Sequence, residues 1–251
     1  MNNLLTTIAG TAVAISCLCA GCERHDEHPA QPVQHAEAKS QGTIVAMGDS
    51  LTAGLGVNEN DAYPAQLERK LLQGGYRWQV LNAGISGETS SGALSRIGWV
   101  LKLKPDIVIL ETGANDGLRG TDPQLMRKNI EEMLHILEKN DVVVVLAGME
   151  MLANLGKEYT GAFSAVYTDL SRKHRVILMP FFLADVAGDQ SLNQQDGLHP
   201  TTAGYRIITD NIYPYVLKAI ERIHGKRPSF RHINPSIFPP SPQKDKACSL
   251  P

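Results

Sequence analysis

Between Thr43 and Ile223, short runs of β-branched and aliphatic residues alternate with longer stretches in which apolar positions recur every three or four residues. Unbroken apolar runs suit strands covered on both faces, whereas a period of about 3.6 suits helices that bury one stripe. The runs predict strands over Thr43–Met47, Trp78–Asn82, Asp106–Glu111, Val142–Gly148 and Val176–Met179. The periodic stretches predict helices over Ala62–Gln73, Ser90–Lys102, Pro123–Asn140, Ala162–His174 and Pro200–Ile223. Such alternation is the mark of βαβ units stacked on a parallel sheet. The expected architecture is a three-layer α/β/α sandwich around a five-stranded, doubly wound parallel sheet. Ligands bind such sheets beyond the carboxyl ends of the strands, so the residues just after each strand are the ones to read for chemistry.

The flanks follow a different pattern. Leu4 to Gly21 contains no charged residue and ends in the small residues of Cys19-Ala20-Gly21-Cys22. An uncharged apolar run closing on small residues reads as a secretion signal over residues 1–22; its rival is a signal-anchor helix. Ala20-Gly21-Cys22 resembles the lipobox of bacterial lipoproteins, which implies lipidation at Cys22 and an anchor on the periplasmic side of the cell envelope. Cys19 stands where that motif ordinarily has Leu, and no Lys or Arg precedes the run. Residues 23–42 are polar and aperiodic and are expected to form a flexible tether. His25, Asp26, Glu27, His28 and His35 fall within it, but a disordered segment does not pre-organise metal ligands. Residues 224–251 carry Pro228, Pro235, Pro239, Pro240 and Pro242 and read as a disordered tail.

Composition narrows the possibilities. An apolar content of 43% in 251 residues is enough for one full core, assigned here to residues 43–223 and expected to be a monomer. With 24 Lys and Arg against 26 Asp and Glu, no basic surface is evident for nucleic acid. Cys17, Cys19 and Cys22 belong to the signal and Cys248 to the tail, so the predicted core contains no cysteine and no disulfide framework can be built.

Four segments following predicted strands carry the chemistry. The first strand ends in Gly48-Asp49-Ser50-Leu51 and the second in Asn82-Ala83-Gly84-Ile85-Ser86-Gly87. After the third comes Gly113-Ala114-Asn115-Asp116, and after the last Asp196-Gly197-Leu198-His199-Pro200. Each segment alone has a bland reading as a turn or a helix cap. Their convergence on one rim is the signal. A serine hydroxyl needs a base to become a nucleophile, a neutral imidazole can serve, and a carboxylate three residues earlier can fold back to fix the imidazole tautomer. Ser86 has no assigned base. His135 and His174 fall in or at the end of helices and read as structural or surface residues. Asp116 and Arg119 read as loop stabilisers. Met149, Met151 and Leu152 follow the fourth strand and fit either an acyl groove or loop packing.

These blocks resemble the signature blocks of the SGNH hydrolases, also called the GDSL esterase family. The stretches Gly84 to Thr89, Asn115 to Gly120 and Ala162 to Tyr167 resemble its thioesterase I, lysophospholipase and arylesterase subgroup. The resemblance spans about Ile44 to Ile223 and implies a flavodoxin-like fold. It implies Ser50 as nucleophile, His199 as general base and Asp196 as the residue orienting it. It further implies an oxyanion hole from the backbone N–H of Ser50, the backbone N–H of Gly84 and the side-chain amide of Asn115, with no metal and no organic cofactor. The activity implied is hydrolysis of small-molecule esters or thioesters: aryl esters, short-to-medium acyl esters, acyl-CoA and lysophospholipids. Two alternatives stand beside it, a carbohydrate O-deacetylase or envelope acyltransferase, and a lipid-anchored binding protein without catalysis.

Overall fold

In the computed structural model, which describes residues 40–226, each apolar run has become a strand of one sheet. These are β1 (Gly42–Gly48), β2 (Trp78–Gly84), β3 (Ile107–Glu111), β4 (Val143–Ala147) and β5 (Ile177–Met179). Their order is β2-β1-β3-β4-β5, and every neighbouring pair is parallel. In β1, β3 and β4 the central residues, among them Ile44 to Met47 and Ile107 to Leu110, are wholly buried. Their lack of periodicity in sequence is the consequence of being covered on both faces. The outer strand β2 is different: Trp78, Val80 and Ala83 are buried, while Gln79 and Asn82 are exposed. An edge strand has one partner and one well-covered face, so it alternates.

The helices are α1 (Ser50–Ala53), α2 (Tyr63–Gln73), α3 (Ser90–Ser95), α4 (Ile97–Lys102), α5 (Ala114–Leu118), α6 (Pro123–Lys139), α7 (Lys157–Lys173) and α8 (Thr202–Lys226). Helices α2 and α8 pack together with β2, β4 and β5, while α3, α4, α6 and α7 form the opposite layer. The chain leaves β1 for β2 on one side and then crosses back to β3 on the other, so the carboxyl ends of β1 and β3 flank the switch point of the sheet.

Several boundaries differ from those expected. The stretch Ser90–Lys102 is two helices, because Arg96 leaves helical geometry at φ −110° and ψ 7°, and its guanidinium reaches Glu88 and the Gly48 carbonyl. Helix α7 begins at Lys157 rather than Ala162, despite Gly161 in its second turn. Tyr159 anchors that extra turn by packing on Phe163 and donating to the Thr121 carbonyl. Pro200 does not open the last helix: the Tyr205 N–H bonds the Thr201 carbonyl and Thr201 Oγ1 accepts from the Gly204 N–H, so the cap is Thr201. Helix α8 also continues to Lys226, past the expected edge of the tail. The expected signal, most of the tether and tail, Cys22 and Cys248 lie outside the described residues, as do His25, Asp26, Glu27, His28 and His35. No helix among the described residues is long and apolar enough to cross a membrane.

Candidate active site

Strand β1 ends at Gly48, where nothing larger fits: a Cβ would lie 2.1 Å from Thr52 Oγ1 and 2.4 Å from Glu111 Oε2. Asp49 then caps α1, its Oδ1 accepting the Leu51 N–H at 2.9 Å. This sharp turn leaves Ser50 only 8% exposed but with its hydroxyl facing a cavity of about 390 Å3. His199 Nε2 stands 2.8 Å from Ser50 Oγ, and His199 Nδ1 stands 2.6 Å from Asp196 Oδ2. Asp196 Oδ1 accepts the N–H groups of Leu198 and His199 at 2.9 and 3.0 Å. These hydrogen bonds from the His199 backbone and ring and from the Leu198 N–H hold the Asp196 carboxyl down at about 2. The carboxylate is therefore ionised at any physiological pH. With the ring proton on Nδ1 facing this carboxylate, Nε2 would present its lone pair to Ser50 Oγ.

The loop carrying the imidazole is itself clasped. Asn193 and Pro200 form an antiparallel bridge, and the Gln194 N–H donates to the His199 carbonyl at 2.7 Å. Gln194 Nε2 donates to the carbonyls of Leu55 and Pro200, which ties this loop to the segment just after α1.

Asn115, at the start of α5, donates one amide hydrogen from Nδ2 to Asp49 Oδ2 at 3.0 Å. The other hydrogen of the same NH2 group is left for the cavity, whose wall includes Asn115. Asp49 and Glu111 form a buried acidic pair beneath this point. The Asp49 N–H and Thr52 Oγ1 both donate to Glu111 Oε2, at 3.2 and 2.9 Å. Burial, reinforced by the nearby Asp49 charge, pushes the Glu111 carboxyl well above the usual carboxylate range, and burial raises Asp49 as well.

The Gly84 assignment requires correction. Its N–H donates to Asn82 Oδ1 at 3.0 Å, and a Cβ at Gly84 would lie 2.2 Å from the backbone nitrogen of Ala53. Gly84 is thus a packing contact between β2 and α1, and it does not border the cavity. Gly87 does, alongside Ser50 and Asn115, in a turn with φ +78° that suits glycine. Neither the Gly87 N–H nor the Ser50 N–H donates to any group among the described residues. Arg119 braces the turn by donating to the Gly87 carbonyl at 2.8 Å. Asp116 braces its far side by accepting from the N–H and Oγ of Ser90, at 2.7 and 2.6 Å. Ser86 borders the cavity but is exposed and bonds no histidine. Met149, Met151 and Leu152 all line the cavity, with Met149 buried and Leu152 exposed.

Comparison with known proteins matches residues 46–207 to the model of the GDSL-like lipase/acylhydrolase family. The chain belongs to this family. It is 38% identical over 173 residues to the esterase TesA of Pseudomonas aeruginosa, covering 68% of this chain and 86% of that protein. It is 36% identical over 178 residues to thioesterase 1/protease 1/lysophospholipase L1 of Escherichia coli, covering 69% and 82%. Among solved structures, that of TesA superposes with a TM-score of 0.68 at 36% identity, covering 70% of this chain and 99% of the other. The psychrotrophic esterase EstA of Pseudoalteromonas, solved with monoethylphosphonate as inhibitor, gives 0.69 at 32% identity, covering 72% and 99%. This GDSL-family protein is a carboxylic ester hydrolase of the serine esterase and thioesterase type, with the three-layer α/β/α fold of its relatives.

Proposed function

We propose that Ser50, His199 and Asp196 hydrolyse small-molecule esters and thioesters of modest acyl length through an acyl-enzyme on Ser50. His199 Nε2 takes the Ser50 proton as Oγ adds to the acyl carbonyl. The oxygen that gains charge is met by the N–H groups of Ser50 and Gly87 and by Asn115 Nδ2. The imidazolium then protonates the departing alcohol or thiol, and the carbon–leaving-group bond breaks. In the second half a water gives its proton to His199 and its oxygen to the acyl carbon, releasing the acid and restoring Ser50. Asp196 stays a carboxylate throughout, holding the imidazole and countering its transient positive charge.

The observation that carries this reading is the continuous chain from Asp196 through His199 to Ser50, opening on a mostly apolar cavity. Leu55, Leu118, Met151, Leu152, Phe181 and Leu183 are in its wall. A wall of aliphatic and thioether groups with the single ring of Phe181 accepts an acyl chain, whereas a sugar platform would call for several aromatic rings. The carbohydrate reading is weaker for that reason. Profiling the purified protein against p-nitrophenyl esters, acyl-CoAs and lysophospholipids of graded chain length tests the proposal. A rate that rises with chain length into the medium range supports it, and turnover confined to acetylated sugars contradicts it.

The uncharged run Leu4 to Gly21 followed by Cys22 supports export and lipid attachment at Cys22, with the catalytic part facing the periplasm.

A further inference from the structure

At the amino-terminal end of the sheet, opposite the active site, Glu131, His135 and His174 bring one ligand atom each to within 4.8 Å of one another. Glu131 and His135 lie one turn apart on α6, and His174 ends α7, its N–H bonded to the Leu170 carbonyl. The two imidazoles meet edge to face at 4.7 Å between centroids. His174 Nδ1 lies 3.1 Å from Glu138 Oε2, while Glu138 Oε1 accepts the Arg175 N–H. In the neutral ring with its proton on Nδ1, facing Glu138, the lone pair falls on Nε2. The His174 side chain is 4% exposed, and its Nε2 makes no hydrogen bond; the nearest carboxylate oxygen, Glu131 Oε1, is 3.7 Å away. A buried ring nitrogen left without a hydrogen bond beside an imidazole and a carboxylate is a costly arrangement unless something fills the gap.

We propose that Glu131, His135 and His174 bind a divalent transition metal of the Zn2+ class, with water as the fourth ligand, clamping the end of α7 to α6. Two imidazoles and one carboxylate suit a borderline cation, and Glu138 supplies the carboxylate that orients a metal-bound histidine. Bonds of about 2.0–2.2 Å set tetrahedral ligands about 3.3–3.6 Å apart, so separations that now reach 4.8 Å must close by about 1.2–1.5 Å. His135 is exposed and Glu131 partly so, which leaves their rotamers free to make that move. An open cleft of about 950 Å3, lined by His135 and His174, admits the water. Lys173 stands 3.5 Å from Glu131 Oε1 and is the competing cation, but its side chain is 58% exposed and can swing away. The site is remote from Ser50, so its role is to stabilise the fold rather than to catalyse.

The test is a Zn2+ titration of the chelator-treated full chain by calorimetry and thermal melting, comparing wild type with His135→Gln and Glu131→Gln. His174 is buried and its replacement disturbs packing, so the surface positions carry the test. The full chain carries other histidines, among them His25, His28 and His35, so the readout is the difference between variants. Wild type should bind one more Zn2+ per chain than His135→Gln. At about a hundredfold excess over Kd it should melt about 5–10 °C higher with Zn2+, a rise both variants lose. Metal-free wild type and His135→Gln should hydrolyse a soluble ester at equal rates. Equal stoichiometry and equal melting shifts in wild type and variants would overturn the proposal.

Discussion

Asn115 has two duties in one side chain, holding Asp49 with one amide hydrogen and offering the other to the cavity. Replacing an oxyanion donor typically costs ~10²–10³ in turnover. Asn115→Ala should therefore lower kcat by that factor with little change in KM, measured on a p-nitrophenyl ester; an unchanged kcat would remove Asn115 from the site. Glu111 leads to a prediction about stability. Its folded-state pKa is raised, so as pH climbs above the ordinary carboxylate range the unfolded chain releases a proton that the folded chain retains. The contribution of Glu111 is fully present below the unfolded pKa and is lost as pH rises through the folded one. Glu111→Gln cannot ionise, so urea midpoints should shift in its favour between pH 5 and pH 8; parallel profiles would contradict the raised pKa of Glu111. Neither the burial of Glu111 nor the place of Gly87, rather than Gly84, at the cavity was legible in sequence. Asn82 to Gly87 contains two glycines, and which N–H remains free depends on Asn82 Oδ1 and on the approach of α1.

At the scale of elements, strands were the easier part to read, because β-branched runs bounded by polar turns admit few alternatives. Helix boundaries followed tertiary demands instead: Arg96 breaks a periodic stretch to reach Glu88, and Tyr159 extends α7 past Gly161. Helices α1 and α5, of four and five residues, are too short to show a period. The contact of α1 with β2 separates the two glycines experimentally. Gly84→Ala forces a methyl group into the Ala53 backbone, and overpacking of this kind costs about 1–3 kcal/mol or more. It should depress the melting temperature markedly. A Gly84→Ala protein with normal melting but a hundredfold lower kcat would restore Gly84 to the oxyanion hole.

For the molecule as a whole, the order of strands decides why four distant segments meet. Parallel strands place every following loop on one edge, and the reversal between β1 and β3 brings the segments of Ser50 and Asn115 to either side of the switch point. The shared edge follows from the alternation of runs and periods in the sequence, which is why the motifs were informative together and ambiguous singly; the position of the switch point comes from the strand order. The amino-terminal residues add a prediction at the same scale: Cys22→Ser should abolish labelling by palmitate and move the activity to the soluble fraction, whereas unlabelled, soluble wild type would refute the anchor.

The central claim, that Ser50 is the nucleophile His199 activates, is tested most directly by covalent labelling with a fluorophosphonate read by peptide mass spectrometry. The phosphonyl group should be found on the peptide bearing Ser50. Ser50→Ala should take up no label and hydrolyse no ester, while Ser86→Ala still labels. Label on Ser86 or another serine, with Ser50→Ala fully active, would contradict the account.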